Sequence, residues 1–86
     1  MADEPELRRE LSRAVDQALA GDWDSAHGIV QAHEDDATAC WVHAVLHKIE
    51  GDESNSRHWY RRSGHAYEAY ADARAELGAI KAALGY

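Results

Sequence analysis

The residues with the types and spacing for chemistry are His43 and His47, four apart in Trp41-Val42-His43-Ala44-Val45-Leu46-His47-Lys48-Ile49-Glu50-Gly51-Asp52. That spacing is one helical turn, so both rings share a face. At 100° per residue Cys40 falls within about 60° of them on the wheel, on a stripe opposite the centre of the apolar arc. A His-x3-His pair so placed can chelate a divalent transition metal such as zinc, with Cys40 or His27 of a neighbouring helix as third ligand. No Glu follows His43, so the zinc-protease pattern His-Glu-x-x-His is absent. Two other readings stay open. The rings can line a groove for a small molecule or peptide, or pack against the other hairpin or the last helix with each nitrogen bonded to a carbonyl or carboxylate. Such packing is the ordinary fate of buried histidines, so the expectation is no cofactor, with a zinc-class ion on His43 and His47 as the alternative.

Cys40 stands in the first turn of its helix, three residues before His43, and both features lower a thiol pKa. A nucleophile also needs an oxyanion stabiliser and a cleft, whereas a lone Cys in a small helical protein is usually a small apolar group. Asn55 faces inward one turn before Trp59. Its amide either locks the Gly51-Asp52 turn or contacts a ligand, because a buried amide without partners is costly. Arg57, Arg61 and Arg62 have the chemistry to clamp a carboxylate or phosphate, but the nearby acids Glu50, Asp52 and Glu53 account for them as surface ion pairs. His33 reads as structural and His65 as a turn residue.

Five helices must position these groups. Pro5 suits a first helical position, with Asp3 or Glu4 as cap. Leu7, Leu11, Ala14, Val15 and Ala18 then form one apolar stripe, predicting a helix over about 5–20. Gly21 ends it and Asp22 caps a second helix over about 23–33. Asp35-Asp36 stops that helix and caps a third, over about 37–50, whose apolar arc is wide enough for a central helix. Gly51-Asp52 repeats the stop and cap before a fourth helix over about 53–63, ended by Gly64. A fifth, over about 66–84, carries Ala66, Tyr70, Ala73, Leu77, Ile80 and Leu84 on one stripe. The expected fold is all-α, a five-helix antiparallel array.

A shift of thirty residues lays Gly21-Asp22 on Gly51-Asp52, Ala14 on Ala44, Val15 on Val45 and Ile29 on Trp59. The single domain over 1–86 is thus read as repeat one (about 7–36), repeat two (about 37–64) and a closing helix; one hairpin cannot bury its apolar face alone, but a stacked and capped pair can. Gly21-Asp22-Trp23-Asp24-Ser25-Ala26 resembles the inter-helix turn of tetratricopeptide repeats. Trp59-Tyr60-Arg61-Arg62 resembles a segment of the related Sel1-like repeats. A closer resemblance is to a group of short uncharacterised bacterial proteins sharing Gly-Asp-Trp-x-x-Ala-His, Trp-x-His-Ala-x-Leu-His-x-x-Glu-Gly-Asp-x-x-Asn and Trp-Tyr-x-Arg-x-Gly. Here these run from Gly21 to His27, Trp41 to Asn55 and Trp59 to Gly64. The resemblance implies a helical-repeat fold and a bacterial family but no activity.

Bulk properties narrow the classes. The chain has 86 residues, 45% of them hydrophobic, one Pro and one Cys, which fits one small domain without an internal disulfide. Nine basic against sixteen acidic residues give a net charge of −7, which argues against a nucleic-acid binder. No apolar run approaches a membrane span, and the acidic N-terminus does not read as a signal peptide; a cytoplasmic location is expected. These features favour a non-enzymatic protein-, peptide- or ligand-binding scaffold that self-associates. Its groove, between the first and third helices, would present His43, His47 and Cys40, with His27 and Asn55 nearby. A divalent-metal protein using His43 and His47 is the first alternative, and a small enzyme with Cys40 or a His as reactive group the second.

Overall fold

A computed structural model describes residues 4–86. Five helices follow in order: α1 (Pro5–Leu19), α2 (Trp23–Gln31), α3 (Ala37–Ile49), α4 (Glu53–Ser63) and α5 (Ala73–Leu84), with a single 3-10 turn at Tyr67–Ala69 between the last two. The all-α reading holds. Asp3 lies outside the described residues, and Glu4 occupies the cap position of α1 without a side-chain cap bond. The other caps are acidic residues accepting a backbone N–H: Asp22 from Ser25, Asp36 from Ala39, Asp52 from Asn55 and Asp72 from Arg74.

The two Gly-Asp turns are copies of one another. Gly21 and Gly51 take φ of 85° and 83°, a left-handed conformation that lets the chain leave the helix without a Cβ clash. The following amides then close the same loops, Asp22 N–H onto Gln17 O at 2.8 Å and Asp52 N–H onto His47 O at 3.0 Å.

Central α3 packs against all four other helices. Every residue from Ala39 to His47 is buried, so the wide apolar arc read in the sequence corresponds to burial on all sides. The core gathers Leu11, Ala14 and Val15 of α1, Ala26 and Val30 of α2, Trp59 and Tyr60 of α4, and Leu77, Ile80 and Leu84 of α5 around it. α1 also packs on α5, where Arg74 donates to Leu19 O at 2.9 Å and Lys81 pairs with Asp16. This contact joins the first helix to the last beside α3.

The start of α5 differs from the sequence expectation. Ala66 and Tyr70, expected on its stripe, have extended backbones, and the helix begins seven residues later than 66. The cause is tertiary. Lys48 of α3 donates to the carbonyls of Tyr67 and Tyr70 at 2.9 and 3.1 Å, which holds them out of a helical ladder, and Asp72 caps the helix beyond them. The same ammonium pairs at 2.9 Å with the fully buried Glu76, whose other oxygen accepts from Trp41 Nε1 at 2.9 Å and Tyr60 Oη at 2.7 Å. α2 also ends two residues before the expected 33, its last turn tightened by bonds from Ala32 and His33 N–H to Ile29 and Val30 carbonyls.

Candidate functional site

Three i,i+4 pairs on three consecutive helices converge: Trp23 and His27 on α2, His43 and His47 on α3, Asn55 and Trp59 on α4. Asp22 starts α2 so that Trp23 is its first residue and His27 lies one turn on. Trp23 is anchored by Nε1 donating to Leu46 O at 2.6 Å, and its ring stacks on His27 with centroids 4.6 Å apart. On the far side Trp59 stacks on His43 at 3.9 Å. Between these two walls lie the three imidazoles, with centroid separations of 4.8 Å (His27 to His43), 5.4 Å (His27 to His47) and 5.0 Å (His43 to His47).

The nitrogens meet as well as the rings. His27 Nε2 and His43 Nε2 are 3.1 Å apart, and one ligand atom from each of His27, His43 and His47 lies within 4.8 Å of the others. His47 Nδ1 donates to Glu50 Oε1 at 2.5 Å, which leaves its Nε2 as a lone pair; Asn55 Nδ2 donates to that lone pair at 3.4 Å. His43 and His47 are almost fully buried and His27 is half-buried, so the cluster is most exposed on the His27 side.

The electrostatics favour the neutral form of His43 and His27. Burial, then the neighbouring His27, His47 and His58, pull His43 down to about 3; burial, then His47, lower His27. Neutral imidazole is the form that binds a metal. Two Nε2 atoms at 3.1 Å are either a donor and an acceptor or two lone pairs facing one cation. His43 Nδ1 is buried without a partner. In the metal-free protein the lower-energy tautomer therefore has His43 Nε2–H donating to His27, because it orphans a lone pair and not an N–H.

The donor set fits a transition metal with one penalty. Bonds of about 2.0–2.1 Å place tetrahedral ligands about 3.4 Å apart, close to the His27–His43 spacing of 3.1 Å, and the three ligand atoms all lie within 4.8 Å of one another. The carboxylate of Glu50 behind His47 fixes tautomer and ring orientation as the outer partner of a metal-bound His does. The penalty falls on His43, whose Nδ1 would then carry a proton with no acceptor, at a cost of about 1–3 kcal/mol.

Other candidate residues lie elsewhere. Cys40 does not join the histidines: its Sγ donates to Glu34 O at 3.2 Å and it is buried. The wheel puts it near His47 in angle, but seven residues are about 10 Å along the axis. Burial raises its thiol pKa, outweighing the lowering by Arg62, the reverse of the expected activation. The rings also face α2 and α4, so the groove expected between the first and third helices is not where they meet. Asn55 does not lock its turn through the amide; Asp52 does so through Asn55's backbone N–H. His33 bonds Glu10 at 3.2 Å and His65 stacks on Trp41 at 3.6 Å. Arg57 pairs with Glu53 and Glu68, while Arg62 donates to Glu34 O and lies over Trp59.

Trp23 and Glu50 are the site residues that sequence reasoning passed over. The signals were the spacings Trp23-x3-His27 and His47-x2-Glu50, each of which places the pair on one helix face. No protein-family profile matches this chain, and no curated protein or solved structure matches it either.

Proposed function

We propose that this protein binds a divalent transition metal of the zinc class through His27, His43 and His47. The observation that carries this reading is the convergence of one ligand nitrogen from each of the three, from two helices, within 4.8 Å. The neutral state of His43 and His27 and the Glu50 carboxylate behind His47 support it. A peptide groove has less support. Trp59 is 8% exposed and both flanking indoles are engaged in stacking on histidines, which leaves little aromatic surface for a partner. Among the described residues the exposed large apolar side chains are Ile49 and Tyr86.

Zinc titrated into chelator-treated protein tests the reading. At a hundredfold excess over the dissociation constant the ion adds about 2.7 kcal/mol, which for a domain of this size raises the melting temperature by about 10 °C or more. His27→Ala removes a ligand from the most accessible position, so it should keep the metal-free melting temperature within a few degrees and abolish the rise. An unchanged wild-type melting curve with zinc, nickel and cobalt would refute the reading.

A further inference from the structure

Asn55 is the member of the convergent face whose side chain has the least to do. Its backbone N–H satisfies Asp52 at 3.2 Å, so the turn does not need the amide. The amide's one hydrogen bond among the described residues is that to His47 Nε2 at 3.4 Å, longer than a good N–H donor makes, although the group can form up to four. It is held over the cluster because Trp59, one turn on along α4, is stacked against His43.

The 3.4 Å separation of the Asn55 amide and His47 Nε2 matches the edge of a tetrahedral site, about 3.4 Å for bonds of about 2.0–2.1 Å. A half-turn about the last side-chain bond exchanges Nδ2 for Oδ1 and sacrifices only that one long bond. We infer that, if the three-histidine site is correct, Asn55 Oδ1 is its fourth ligand, giving three imidazole nitrogens and one amide oxygen. The set carries no charge of its own. It suits zinc, cobalt or nickel and not calcium or magnesium, which take several carboxylates and waters. With the fourth position filled from the protein, no open coordination site remains, and the centre holds a cation without hydrolysing a substrate.

Cobalt(II) replaces zinc as a visible probe. The wild-type complex should show the strong visible absorption of a four-coordinate ion and should not change when azide is added. Asn55→Ala should bind zinc at least tenfold more weakly, with a weaker cobalt spectrum that azide shifts because a small ligand now reaches the metal. Asn55→Asp keeps an oxygen at the same place, so it should retain the four-coordinate spectrum and bind at least as tightly; it separates loss of a ligand from loss of fold. If the wild type binds both metals and Asn55→Ala has the same affinity and spectrum, Asn55 is not a ligand and the three-histidine site stands. If the wild type binds neither metal, both fall.

Discussion

His43 is where the cost of the site concentrates. The ring is 3% exposed, wedged between Trp59 and the other two imidazoles, with one nitrogen against His27 and the other without a partner. In the unfolded chain it takes up a proton near 6.5; folded, it does so only near 3. Between those values the unfolded state binds more protons, so acid favours unfolding. Stability from this residue is complete above about pH 7 and falls by about 1.4 kcal/mol per unit as pH drops below 6, and the lowered His27 acts in the same direction. We expect metal-free protein to lose about 2 kcal/mol through His43 between pH 7.5 and 5, read from urea midpoints. His43→Gln should be less stable at pH 7.5 yet show a flatter pH dependence. Equal slopes for the two proteins would remove His43 as the source.

At the scale of elements, the buried Glu76–Lys48 pair decides where α5 begins and what it holds. Glu76 accepts from Trp41, Tyr60 and Lys48, joining α5 to α3 and α4, and Lys48 spends its other donors on the carbonyls of Tyr67 and Tyr70. Removing one member leaves the other charge buried and unpaired. Glu76→Ala should therefore cost about 3–5 kcal/mol, whereas the pair replaced together, Glu76→Met with Lys48→Met, should cost less than the sum of the single changes because no lone charge remains. A double variant as unstable as that sum would show that the two groups do not act as a unit. The same pair explains what could be read from the chain. Four helices lie close to their expected spans because their stops and caps, Gly21-Asp22 and Gly51-Asp52 above all, are local chemistry. The beginning of α5 was illegible because it depends on a lysine about twenty residues upstream. Glu76 left a trace, since it sits beside Leu77 on the apolar stripe, where a charge must have a partner. His43 and His47 were legible as one turn of one helix. That His27 and not Cys40 completes the group depends on how α2 packs against α3, which angular position on a single helix does not contain.

At the scale of the whole molecule, two similar hairpins would behave as a short linear array if each touched only its neighbour, and such arrays unfold in pieces. The contact of α1 with α5, through Arg74 on Leu19 O and Lys81 on Asp16, joins the first helix to the last, and α3 touches every other helix. No hairpin can leave without exposing α3, whose residues from Ala39 to His47 are all buried. The site depends on the packing about α3 too, because its three pairs of side chains come from α2, α3 and α4. Loss of either hairpin separates Trp23 and His27 from His43 and Trp59. We therefore expect a single two-state transition, in which helix content by circular dichroism and tryptophan emission change at the same urea concentration with the same slope. Trp23 and Trp59 report the site directly, and Trp41 reports the Glu76 network from the opposite side of α3. An emission change that precedes the loss of helix would mean that the histidine face opens while the rest stays folded, and the packing about α3 would then not be what holds the site together.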